Sequence, residues 1–185
     1  MALERKKTLN VFKDAEAAWG SYDDFPVGAH GTDPMPHLSR NRCPQPFYLV
    51  SSADQVLIQM SGDGEILFAE HEPASMPLAP GDTVYIPAGV PSRLIPRGEN
   101  VQLRLKAEPP ATEAVAWYCA RCRALVHAVE LAAGIPQEGY ASAVRAFNDD
   151  DRLRTCASCG EVHAPVELGD IAWAEVAAAL RAEEP

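Results

Sequence analysis

The chain has 185 residues, enough for one domain or one domain with a small appendage. Hydrophobic residues make up 47% and charged residues 23%, which supports a packed core and excludes disorder across the whole chain. A net charge of −10 argues against a general binder of nucleic acid or acidic membrane, and no apolar run nears the roughly 18 residues of a membrane span.

The N-terminus, MALERKKTLN, carries charge with no apolar stretch behind it, so it does not read as a secretion signal. The expectation is a soluble, cytoplasmic protein. Residues 8–19 predict a short amphipathic helix, with Val11, Phe12, Ala15, Ala18 and Trp19 on one face and the turn Ser21-Tyr22-Asp23-Asp24 ending it. From Phe25 to Pro46 no period is visible, and the segment reads as irregular with at most an edge strand. Short strand-like runs follow at 47–51, 55–60, 66–69, 83–86, 92–95 and 101–106, separated by Gly, Pro and Asp turns such as Pro80-Gly81-Asp82. Many short strands without intervening helices predict an antiparallel sandwich or barrel. Glu108-Pro109-Pro110 reads as a linker. Beyond it, 124–131 and 141–147 read as helices, and 171–182 as a third with Asp170 as N-cap. The expected division is 1–24, 25–110 and 111–185.

Five cysteines stand out, four of them in two C-x-x-C pairs: Cys119 with Cys122, and Cys156 with Cys159. Two residues between thiols let one tight turn aim both sulfurs at a common point. Two such turns complete a tetrahedral sulfur shell suited to Zn²⁺ or a rubredoxin-like iron. Disulfides are disfavoured without a secretion signal. Four thiolates leave no open coordination position, so this metal reads as structural. Cys43 is the unpaired fifth cysteine.

Taken together, Pro26-Val27-Gly28, the strand Val56–Gly62, the turn-strand-turn Leu78–Pro87 and the hairpin Ala116-Trp117-Tyr118-Cys119 with its paired C-x-x-C resemble bacterial 3-hydroxyanthranilate 3,4-dioxygenases. The resemblance implies a mainly β cupin fold (a double-stranded β-helix, or jelly-roll, barrel) with a short N-terminal helix. It also implies a small helical C-terminal lobe holding the tetrathiolate metal. In that family, catalysis uses iron held by two histidines and a carboxylate. Carried over by position, those ligands fall on Leu49, Gln55 and Ser92, and a substrate-facing glutamate falls on Arg104. No iron is therefore expected in the cupin pocket, and one ion, Fe or Zn, is expected on the four cysteines.

The five histidines offer no replacement triad: of His30, His37, His71, His127 and His163, His37 alone is placed to approach the pocket. Other residues still suit a live pocket. Arg40, Arg42 and Arg104 can hold an acid, with Gln55, Gln59 and Ser92 beside them; His37 and Cys43 are the candidate acid/base and nucleophile. Strand alternation leaves two phases open for Gln55, Gln59, Gln102 and Arg104, facing either the interior or solvent. The expected function is a divergent cupin enzyme of small-molecule metabolism. It would act, as a homodimer, on a small anionic, aromatic, amino-acid-derived compound without the usual iron. Two alternatives stand beside it: a non-catalytic ligand- or partner-binding cupin, and an ordinary iron-dependent 3-hydroxyanthranilate dioxygenase whose ligands lie elsewhere.

Overall fold

A computed structural model describes residues 10–16, 22, 24–108, 110–132, 134–169 and 171–183. A short helix, α1 (Val11–Glu16), is followed by eleven strands among the described residues. These are β1 (Phe25–Pro26), β2 (Met35–Asn41), β3 (Tyr48–Ser51), β4 (Gln55–Ser61), β5 (Gly64–Phe68), β6 (Ser75–Leu78), β7 (Thr83–Ile86), β8 (Ser92–Pro96), β9 (Asn100–Lys106), β10 (Glu113–Tyr118) and β11 (Leu125–Glu130). Three helices close the chain: α2 (Pro136–Asp149), α3 (Asp151–Arg154) and α4 (Trp173–Glu183).

The strands form two antiparallel sheets, ordered β1-β2-β9-β4-β7 and β11-β10-β3-β8-β5-β6. Neighbours in space are mostly distant in sequence, as when β2 pairs with β9 along its whole length. That crossing-over is the jelly-roll pattern. The fold is mainly β and cupin-like as expected, with its strands in two sheets rather than one closed barrel.

Four segments differ from the sequence reading. The stretch read as irregular contains β2, a seven-residue strand inside the first sheet. Its inward residues include His37, Ser39 and Asn41, so polar side chains hide the usual apolar alternation. The segment 124–131, read as a helix, is β11. The first C-x-x-C pair is the turn of a β-hairpin, so the chain after it must return antiparallel to β10. Strands β6 and β10 were not anticipated. β10 begins beyond the expected boundary at 110, yet pairs with β3 in the second sheet. The proposed N-cap, Asp170, lies outside the described residues.

One apolar cluster joins the second sheet to the C-terminal helices. It runs from Phe47, Leu49 and Val115 to Tyr140 and Phe147 of α2 and Trp173 of α4. Trp117 and Phe147 stack with ring centroids 4.1 Å apart. Fully burying each such side chain contributes about 1.5–3 kcal/mol. No helix among the described residues is long and apolar enough to cross a membrane.

Candidate functional site

The thiol pairs are built by two turns with the same backbone plan. In the first, the Cys119 N–H donates to Ala124 O (2.9 Å) and the Arg123 N–H to Cys119 O (2.8 Å). In the second, the Cys156 N–H donates to Glu161 O (2.8 Å) and the Gly160 N–H to Cys156 O (2.9 Å). The residue closing each turn has positive φ, 62° at Arg123 and 74° at Gly160. Only glycine adopts that conformation freely.

The turns bring the four Sγ atoms of Cys119, Cys122, Cys156 and Cys159 within 4.8 Å of one another. Cys119 lies 3.6 Å from Cys159, and Cys122 3.5 Å from Cys156. A tetrahedral ion with metal–sulfur bonds of about 2.3 Å separates its sulfurs by about 3.8 Å, so the shell fits a Zn²⁺- or iron-sized ion. Desolvation works against the Cys156 thiolate, but N–H groups of Ser158 and Cys159 and the neighbouring thiols outweigh it and bring the thiol down to about 7. The four sulfurs are close enough together to share one ion. They are also the one group of three or more Cys, His, Asp or Glu that can hold a metal among the described residues.

The second candidate is the interior face of the first sheet. Burial settles the alternation: Gln55, Gln59, Gln102 and Arg104 are buried, while Val56, Ile58, Leu103 and Leu105 are half-buried on the other face. This interior has two halves. One is a closed amide ladder. Ser39 Oγ donates to Asn41 (2.6 Å), Asn41 Nδ2 to Gln102 (3.1 Å), and Gln102 Nε2 to Gln59 (2.8 Å). Gln59 Nε2 then donates to the carbonyls of Ser61 (3.0 Å) and Gly62 (2.8 Å). Gln59 is thus held by its neighbours.

The other half is charged. Lys106 Nζ donates to Asp24 Oδ2 (2.6 Å) and Glu113 Oε1 (2.8 Å), and the Tyr140 hydroxyl donates to Glu113 Oε2 (2.6 Å). Burial opposes the Asp24 carboxylate, but the Lys106, His37 and Arg104 charges hold it down at about 2. Lys106 is raised, because the two carboxylates overcome its burial. Arg104, on the same face of β9, donates from Nη1 to Gln55 Oε1 (2.7 Å), diagonally across from it on β4. Tyr22 OH, Gln45 Oε1 and Arg104 Nη2 are among the buried polar atoms without a hydrogen-bond partner.

The remaining expected site residues are dispersed. Arg40 points to the outer side of β2, and both it and the exposed Arg42 bind Glu99, at 2.9 and 2.6 Å. Alternation decides this, since Ser39 and Asn41 take the inner face. Such exposed pairs contribute about 0–1 kcal/mol. His37 is inside, opposite Arg104 in register, with Nδ1 3.4 Å from Asp24 O. Burial and then the Lys106 charge push it down to about 4, so it is neutral at pH 7. Cys43 lies half-buried two residues beyond the end of β2. About 13 Å of strand separates His37 from that end, so the two form no catalytic pair. Leu49 and Ser92 are buried and directly opposite each other on β3 and β8. Missed at the sequence level were Tyr22, Asp24, Lys106, Glu113 and Tyr140, which lie far apart in the chain and match no motif.

No protein-family model matches the chain. Comparison with curated proteins does find relatives. The 3-hydroxyanthranilate 3,4-dioxygenase of Jannaschia sp. (strain CCS1) is 32% identical over 116 residues, covering 60% of this chain and 63% of that protein. The enzyme of the same name from Shewanella woodyi is 29% identical over 114 residues, 60% of each chain. That of Neurospora crassa is 28% identical over 144 residues, 75% of this chain and 73% of its own. The chain is thus similar to 3-hydroxyanthranilate 3,4-dioxygenases over 60–75% of its length. Its matched segment spans about 60% of the length of the first two relatives. Among solved structures, similarity extends to hydroquinone 1,2-dioxygenase from Sphingomonas sp. TTNP3 with 4-hydroxybenzoate bound (TM-score 0.47, 18% identity, 54% of this chain and 72% of that one). A cupin-2 domain protein from Shewanella frigidimarina gives a TM-score of 0.48 at 19% identity, over 55% and 96% of the chains. The interior of this chain presents an arginine, amides and a lysine held by two carboxylates.

Proposed function

We propose that this chain is a cytoplasmic, homodimeric cupin enzyme that takes a small anionic, aromatic, amino-acid-derived compound into its interior without catalytic iron. The tetrathiolate ion, Zn or Fe, holds the C-terminal lobe. One observation carries the reading. The fully buried Arg104 guanidinium is hydrogen-bonded to Gln55, the position where the resemblance puts the iron-binding carboxylate. A fixed positive charge beside an amide repels Fe²⁺ and attracts an anion, and low polarity around it strengthens both effects. The residues at the carried-over positions, Leu49, Gln55 and Ser92, do not fit the family's iron, since leucine offers no ligand atom and glutamine and serine only weak neutral ones.

Titration calorimetry with 3-hydroxyanthranilate and anthranilate tests this reading. Replacing Arg104→Met is expected to weaken binding about 10- to 100-fold, the range for losing a hydrogen bond to a charged group. Equal affinity in wild type and variant contradicts it. A second reading, a binding cupin without turnover, is favoured by the separation of His37 from Cys43. It gains if a bound acid is recovered unchanged after prolonged incubation.

A further inference from the structure

Strand alternation in the second sheet turns Leu49, Ile66, Leu94 and Trp117 into the apolar cluster, where all four are buried. The alternate residues Tyr48, Glu65, Leu67, Arg93, Ile95 and Tyr118 point the other way and are half-buried. The apolar ones among them belong to neither apolar cluster of the fold. On the first sheet the corresponding outer face is covered in part, since α1 and α4 pack Ala15, Val176 and Leu180 against Leu38 and Val101. The outward face of an antiparallel sheet is ordinarily polar. Here the pairing register makes an apolar one continuous. Leu49 pairs with Ser92, which sets Tyr48 beside Arg93, and Arg93 pairs with Leu67 as Ile95 does with Glu65. Tyr118 lies edge-on to Tyr48, with ring centroids 5.1 Å apart.

Arg93 is the anomaly on this face. Its Nε donates to Gln45 O (2.7 Å), and no carboxylate among the described residues pairs with it. Burial lowers its pKa, and the neighbour opposing that shift is Tyr48 rather than an acid. A half-buried guanidinium without a counter-charge is costly. Glu65, diagonally across from it on β5, has no ion pair among the described residues either. Resting on the homodimeric reading, we infer that this face packs against the same face of a second copy of the chain. A two-fold axis lying in the interface along the line from Leu67 to Ile95 sets Arg93 of each copy over Glu65 of the partner subunit. It leaves Leu67 and Ile95 against their own counterparts. Each copy then supplies the counter-charge that the other lacks, which is the self-complementarity of a two-fold contact. Tyrosine and arginine are also the residues that interfaces favour.

The test is sedimentation equilibrium of the full, metal-loaded chain. Wild type is expected to dimerise. Arg93→Glu and Glu65→Arg are each expected to weaken dimerisation about tenfold or more, because each sets like charges against one another across the interface. Mixed in equal amounts, the two variants are expected to regain wild-type affinity, since the mixed dimer restores both opposite-charge contacts. Near-ultraviolet spectra matching wild type confirm folding, and if Arg93→Glu does not fold, the loss in Glu65→Arg carries the test alone. Folded variants that are weakened but do not recover on mixing overturn the two-fold pairing. A wild-type dimer that neither substitution weakens overturns this face while the homodimeric reading stands. A wild-type monomer overturns both.

Discussion

Replacing Lys106 by methionine is expected to lower the melting temperature by roughly 6–20 °C. Lys106 Nζ lies 2.6 Å from Asp24 and 2.8 Å from Glu113, with all three side chains nearly inaccessible. Methionine keeps the apolar stem but strands two carboxylates. Removing one partner of a buried ion pair costs about 3–5 kcal/mol, and in a chain of this size each kcal/mol moves the midpoint by about 2–4 °C. The cluster ties four parts of the fold together: the N-terminal segment through Asp24, β9 through Lys106, β10 through Glu113 and α2 through Tyr140.

The pH dependence fixes the cause. Asp24 has its folded-state pKa held at about 2, below the ordinary 3.8. Its contribution is fully present above the ordinary value and is lost as pH falls through about 2. In Lys106→Met the Asp24 carboxylate loses the partner that favours its ionisation, so the deficit relative to wild type should shrink between pH 7 and pH 3. Thermal melts across that range read it directly. A deficit independent of pH would mean that lost packing, rather than stranded charge, is responsible.

The double variant Cys119→Ser, Cys156→Ser is expected to lose its bound metal and to melt about 10 °C or more below wild type. A structural tetrathiolate ion contributes about 10–16 kcal/mol of binding free energy that exists only in the folded state. The consequence reaches past the site because Cys119 follows β10, and Trp117 of that strand stacks on Phe147 of α2. Loss of the near-ultraviolet signal of Trp117 should accompany loss of metal. Retained stability in a metal-free variant would show that the sulfurs are dispensable to the lobe.

The metal site was legible in the sequence because its signal is local: each knuckle spans six residues with a fixed spacing. Strands β3, β4, β5, β7, β8 and β9 were legible through their turn residues. β2 was not, since the side chains it turns inward are polar and give no apolar period. β11 was not, because Ala, Leu and Glu suggest a helix whereas the preceding knuckle requires a hairpin return. The interior divided in the same way. Alternation grouped Gln55 with Gln59 and Gln102 with Arg104 but left both phases open, and the family resemblance alone pointed the Gln55 face inward. The Asp24–Lys106 pair spans 82 positions and leaves no local trace. Arg40 and Arg42 looked like ligands for an acid, but β2 turns Arg40 outward and Glu99 occupies both.

We propose that this chain carries a metal on its four sulfurs and an arginine where the resemblance implies catalytic iron. Metal quantification on the purified chain, paired with O₂-uptake measurements on 3-hydroxyanthranilate, tests it most directly. The account predicts one metal ion per chain, abolished by Cys119→Ser with Cys156→Ser, and no O₂ uptake. A second iron that survives the cysteine substitutions and supports O₂ uptake would contradict it.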